Sequence, residues 1–185
     1  MILLCLLAAG CGNDAGQSAA EAARQPYEDM KDCTMTAVVT GGDEFTLRCT
    51  YVPGGESTVE VLAPESAAGV QAVLSGGGLT LRYEGDCLSA GPLSREKISP
   101  AACLPRLMDA LRSGWLLEEC REKRGEEPCL RLTLDETGPE GGKLVSSLWL
   151  RENDHTPLYG EIAVDGEIIL RAEFTDFAFG AILNQ

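Results

Sequence analysis

The residues best able to do chemistry in this 185-residue chain are its eight cysteines, its one histidine and a few adjacent carboxylates. Cys11 stands apart from the other cysteines. It ends the run Leu7-Ala8-Ala9-Gly10-Cys11, directly after the apolar stretch Ile2 to Leu7. A short apolar segment followed by small residues has the form of a cleaved export signal, and a cysteine placed first after them reads as the acceptor of a diacylglycerol. The run therefore reads as a lipobox: residues 1–10 are expected to be a signal peptide whose true start lies upstream or was trimmed, since no basic residue precedes its apolar part, and Cys11 is the expected acylated start of the mature chain. The apolar stretch falls far short of the ~20 residues a spanning helix needs. One acyl chain holds a protein marginally and two or three hold it stably. The expected location is the extracytoplasmic face of a bacterial membrane, with the lipid as the membrane contact.

With Cys5 lost in the signal and Cys11 acylated, Cys33, Cys49, Cys87, Cys103, Cys120 and Cys129 remain. An even set in an exported chain predicts disulfides. Cys33 and Cys49 lie on same-face positions of two alternating runs, with Gly41-Gly42-Asp43 near their midpoint, so a hairpin is expected to set them opposite each other. The same reasoning pairs Cys120 with Cys129 across a polar loop from Arg121 to Pro128, and leaves Cys87 for Cys103 by elimination. Zinc spacing is absent, since there is no C-x₂-C pair and His155 is alone. No metal and no cofactor is expected.

Catalytic arrangements find little support. His155 sits in Glu152-Asn153-Asp154-His155-Thr156-Pro157, a string of turn formers, and no serine is placed to complete a triad with it. Ser146 and Ser147 lack a nucleophile elbow. Glu118-Glu119 would point to opposite faces of a strand, and Glu126-Glu127 falls in the expected loop, so neither forms the facing acid and base of a glycosidase. Gly76-Gly77-Gly78 reads as a hairpin turn, because no helix opening with Lys-Ser/Thr follows it. The chain is expected not to be an enzyme.

These residues must be positioned by elements that the pattern largely defines. Hydrophobic content of 44% can fill a core, and a net charge of -14 argues against nucleic acid and anionic surfaces as partners. Residues 11–25 read as the lipidated N-terminus and tether, in which Ser18-Ala19-Ala20-Glu21 has capping-box spacing. Pro26 is expected in the first turn of a helix running to Asp32, and residues 26–185 as one domain. From Cys33 onward apolar and polar residues alternate: Phe45, Leu47, Cys49 and Tyr51 against Thr46, Arg48 and Thr50; Leu79, Leu81 and Tyr83 against Thr80, Arg82 and Glu84; Leu130, Leu132 and Leu134 against Arg131, Thr133 and Asp135. Period two with one dry face predicts a mainly antiparallel sheet. One helix interrupts it, capped by Ser99, opened by Pro100 and striped by Leu104, Leu107, Met108 and Leu111 before Ser113-Gly114. The expected fold is α+β: a strongly curved, unclosed β-barrel with one or two helices over its concave face.

Several stretches carry a resemblance. Ser57-Thr58-Val59-Glu60-Val61-Leu62-Ala63-Pro64, then Leu79 to Gly85, Ile98-Ser99-Pro100 with its helix, and Thr156 to Ile162 leading to Phe174-Thr175-Asp176-Phe177 look like the LolA-like domain of bacterial lipoprotein carriers. The likeness spans nearly the whole mature chain. It implies an open half-barrel with helices as a lid and a cavity for acyl chains. The lipobox and predicted disulfides depart from the soluble carrier and point toward anchored relatives, such as the LolB-like receptor and the LolA-like germination lipoproteins of endospore formers.

The resemblance thus implies a non-catalytic lipoprotein holding a lipid or a lipoprotein acyl chain in an apolar cavity; the chain's own apolar pattern, and not a family motif, makes Leu104, Leu107, Met108, Leu111, Trp115, Leu117 and Phe174 the expected wall residues. The alternative is a scaffold for another exported protein, such as a cell-wall amidase in spore germination. For that role the tip residues Arg121, Lys123 and Arg124 are the expected docking loop, provided their hairpin projects from the sheet.

Overall fold

The computed structural model describes residues 18–92, 98–137 and 143–180. Cys11, the signal and the turn at Gly138 to Gly142 lie outside the described residues. The chain runs α1 (Ala19–Asp29), β1 (Cys33–Gly41), β2 (Asp43–Tyr51), β3 (Ser57–Ala63), β4 (Gln71–Ser75), β5 (Gly78–Tyr83), β6 (Asp86–Pro92), α2 (Pro100–Ser113), β7 (Trp115–Arg124), β8 (Glu127–Asp135), β9 (Leu144–Arg151), β10 (Pro157–Val164) and β11 (Glu167–Phe179). All pairings are antiparallel in the order β6-β5-β4-β3-β2-β1-β11-β10-β9-β8-β7. The fold is the α+β half-barrel that the alternation implies: an unclosed sheet with helices laid over it.

The order explains the helix. Two meanders, β1–β6 and β7–β11, join where β1 meets β11. Consecutive strands β6 and β7 therefore occupy opposite edges, and the chain between them must cross the whole sheet. An 11-stranded sheet laid flat would be roughly 48 Å wide at about 4.8 Å per strand gap. A 14-residue helix spans only about 21 Å at 1.5 Å per residue. Curling the sheet around α2 brings the edges within reach. Register shifts at Thr36/Ala37, Ile162/Ala163 and Leu116/Glu118 add the local twist that such curling needs.

The inward positions form one core. Met35, Ala37 and Val39 of β1, Leu47 and Cys49 of β2, Leu130, Leu132 and Leu134 of β8, and Leu148 and Leu150 of β9 are buried against Leu104, Leu107, Met108 and Leu111 of α2. Their outward neighbours carry polar side chains and ion pairs such as Arg48–Glu60 at 3.5 Å and Arg171–Glu161 at 3.4 Å.

α1 starts earlier than expected. Ser18 and Glu21 close a reciprocal capping box, the Glu21 N–H donating to Ser18 Oγ at 3.1 Å and the Ser18 N–H to Glu21 Oε2 at 3.0 Å. Pro26 lies inside this helix and not in its first turn, and the helix ends at Asp29. Ala20, Ala23 and Tyr27, spaced three and four apart, form its buried stripe. Residues 19–25 thus belong to the folded domain and shorten the tether. Tyr27 fastens the far end, its hydroxyl donating to the His155 carbonyl at 2.6 Å and its ring meeting Phe179 at 5.1 Å.

β6 carries no strong alternation and escapes the pattern reading, whereas the expected loop from Arg121 to Pro128 is mostly strand. β7 runs to Arg124 and β8 begins at Glu127, leaving Gly125-Glu126 as the turn. The charged residues there are compatible with strand because β7 is an edge open to solvent.

Candidate functional site

The concave face under α2 is where the sequence places a cavity. Ser99 caps the helix, its Oγ accepting from the Ala101 N–H at 3.3 Å, and Pro100 fixes the first turn. Leu104, Leu107, Met108 and Leu111 are fully buried, and Phe174 of β11 joins the same cluster. They form packed core. Leu107 seats over Gly160 of β10 so closely that a Cβ there would stand 2.7 Å from Leu107 Cδ1 and 3.2 Å from Cδ2. Trp115 and Leu117 stand outside this cluster, 77% and 48% exposed on the β7 edge. The reason is topological: β7 has a neighbour on one side only, and the shift between Leu116 and Glu118 turns Leu117 out of the ladder while Leu116 packs inward.

An opening of about 320 Å³ lies beside the helix, lined by Tyr51, Ser57, Leu74, Gly77, Pro105 and Asp109. It is open to solvent and has a carboxylate at its rim, unlike the enclosed, largely apolar sites that bury most of a ligand. Tyr51 donates its hydroxyl to Asp109 Oδ1. Burial, followed by that hydrogen bond, pushes the Tyr51 phenol well above its ordinary range.

No disulfide joins the described cysteines, and the strand register differs from the direct opposition expected of two of the pairs. The β1–β2 turn centres on Gly42, with Gly41 opposite Asp43, so Cys33 faces Tyr51 and Cys49 faces Met35. In β7–β8, Cys120 faces Arg131 and Cys129 faces Glu122. Each proposed pair is one diagonal step apart on the same face. Cys87 is exposed on the edge strand β6, whereas Cys103 is buried in α2, so elimination joined two thiols from different environments. Burial raises the Cys33 and Cys103 thiols to about 12 and pushes Cys49 higher still, with Cys33 and Cys103 as its charged neighbours when ionised. Thiols so far from ionisation are poor nucleophiles. Among the described residues no group of three or more His, Cys, Asp and Glu is arranged to hold a metal ion.

His155 adopts a left-handed φ of 58° in the β9–β10 turn, and the contacts that tie it in are made by its backbone: its N–H donates to the Arg151 carbonyl at 3.0 Å and its carbonyl accepts from Tyr27. The expected docking residues are partly engaged. Arg121 pairs with Glu152 at 3.6 Å, and the Arg124 guanidinium lies 3.4 Å from the centre of the Tyr159 ring and 5.7 Å from that of Trp149. Trp149 donates its indole N–H to Glu122 and meets Tyr159 at 5.3 Å between ring centres. This outer-face cluster was missing from the sequence reading. Its trace is the alternation of Trp149 with the buried Leu148 and Leu150, which marks Trp149 as outward-facing.

The architecture is thus an open antiparallel sheet of two meanders, joined by a helix that crosses and covers its concave face. No family model matches the sequence, and no curated protein does. Solved structures share the fold. An uncharacterized conserved protein from Thermus thermophilus is 15% identical, with 89% of this chain and 90% of that one covered and a TM-score of 0.53. An outer membrane lipoprotein-sorting protein domain from Vibrio parahaemolyticus is 12% identical, covers 92% and 94%, and has a TM-score of 0.51. LprF from Mycobacterium bovis is 14% identical, covers 91% and 95%, and has a TM-score of 0.50. At these identities the likeness is one of fold.

Proposed function

We propose that this chain is a non-catalytic lipoprotein of the cell envelope, held outside the cytoplasm by acylated Cys11, whose half-barrel binds another exported protein. The observation that carries the binding role is the packed interior. Leu104, Leu107, Met108 and Leu111 have no solvent exposure and Leu107 is already in contact with Gly160, so a ligand in the concave face would have to lift α2. Among the described residues the surface, in contrast, offers exposed apolar groups and strand edges with no paired neighbour. Tyr83 and Leu88 are 49% and 66% exposed on the β5–β6 hairpin, where β6 can accept an added strand from a partner.

Acyl-chain binding is the second reading, favoured by the fold shared with a lipoprotein-sorting domain; fold alone does not transmit function. Native mass spectrometry of the exported protein, with bis-ANS displacement by fatty acids, separates the two. The partner reading expects no bound acyl species and no displacement. A stoichiometric acyl ligand would overturn it. Photo-crosslinking in cells from positions 83 and 88 should then give a discrete protein adduct that is absent when the probe replaces the outward Thr58 of β3.

A further inference from the structure

The place where the chain enters the domain and the place where it exposes its largest apolar side chain are on the same strand. The Ala20 N–H at the start of α1 donates to Glu119 Oε2 of β7 at 3.1 Å, which holds the helix N-terminus at that edge. Leu117 and Trp115 lie two and four residues back along β7, roughly 7 and 13 Å at about 3.3 Å per residue. Among the described residues β7 has no neighbouring strand on its outer side, and its first three residues, Trp115-Leu116-Leu117, are the apolar part of a strand whose remaining residues, Cys120 apart, are charged.

Between Cys11 and Ser18 there are only seven steps of chain, at most about 25 Å when fully extended and roughly 15 Å as a flexible segment. A lipid on Cys11 therefore keeps the β7 edge within about 25 Å of the bilayer. The occupant of the patch follows from chemistry as well as distance. Glu118 and Glu119 follow it directly, the basic residues Arg121, Lys123 and Arg124 lie at the far end of the strand, and the net charge is -14, so the protein as a whole is not drawn to anionic headgroups. What remains is apolar insertion, and indole is the side chain best suited to the boundary between headgroups and acyl chains.

We propose that Trp115 and Leu117 rest in the interfacial layer of the membrane that carries the anchor, so that the domain stands with its β7 edge against the bilayer. This rests on the reading of Cys11 as acylated. The test uses the full-length exported protein in phosphatidylcholine vesicles whose acyl chains carry bromine, comparing the wild type with Trp115→Phe. Trp115 and Trp149 are the two tryptophans, so the difference between the two emission spectra belongs to Trp115. The expected result is a difference spectrum that is quenched and blue-shifted in brominated vesicles, while the residual Trp149 emission of the variant is unaffected. Protein that floats with the vesicles and has an acylated Cys11, yet shows no quenching of the difference spectrum, overturns this inference and leaves the anchor intact. An unmodified Cys11 by mass spectrometry, with no flotation, overturns both. A concentration-dependent dimer abolished by Leu117→Arg, without quenching, overturns the membrane contact and assigns the edge to a second copy of the chain.

Discussion

Gly160→Ala tests how α2 is seated. The added Cβ would lie 2.7, 3.2 and 3.5 Å from Cδ1, Cδ2 and Cγ of Leu107, whereas carbon atoms attract best at about 3.5–4.0 Å. Leu107 is fully buried and Gly160 pairs with the buried Leu148 and Ala172, so the leucine has little room to turn. Overpacking of this kind costs about 1–3 kcal/mol, and replacing a strand glycine returns about 0.5–1 kcal/mol. A net loss of about 1 kcal/mol is expected, or roughly 2–4 °C in Tm for a domain of this size. Leu107→Ala alone should cost about 2–5 kcal/mol through the cavity it leaves. In the double variant the new methyl enters that cavity, so the two losses should fall short of their sum by about 1 kcal/mol or more. Urea unfolding of the four proteins measures this. Additivity within about 0.5 kcal/mol would refute the contact as the seat of the helix.

Three further outcomes follow from individual side chains. In reduced protein the buried thiols stay protonated while those of the unfolded chain ionise above roughly pH 8.5, so stability should fall as pH rises from there toward the folded values of about 12 for Cys33 and Cys103. The slope approaches about 1.4 kcal/mol per pH unit for each such thiol; an unchanged urea midpoint between pH 8 and 10 would contradict it. Tyr51→Phe removes a hydroxyl bound to the carboxylate of Asp109, itself exposed. A loss of about 1 kcal/mol is expected in thermal unfolding, and a neutral result would mean that the bond is not formed in solution. Arg124→Ala strips the cation from above Tyr159 and Trp149, costing about 0.5–1 kcal/mol; unaltered Trp149 emission in the Trp115→Phe background would show that Arg124 does not occupy that position.

Much of the architecture was legible because burial on one face of a strand writes itself into every second residue. The alternation in β2, β5 and β8, the Ser99-Pro100 start of α2 and its leucine stripe lead to the observed elements. Legibility ended where pairing had to be known to within one residue. Cys33 and Cys49 share a face as read, but the turn apex at Gly42 in place of Gly41 moves each to a different partner. Similarly, Trp115 and Leu117 are apolar whether they face a cavity or solvent, and composition does not say which strand ends at an edge.

The chain's local chemistry determined most of its strands, its two helix caps and its polar outer face. These depend on neighbours within a few positions. The tertiary structure decided the rest: that β6 and β7 lie at opposite edges, that α2 must therefore cross and fill the concave face, and that the β7 edge leaves Trp115 beside the entry of the N-terminal segment. The physical reason is that strand order and register are fixed by long-range pairing and packing, whose free energy is shared among residues far apart in sequence.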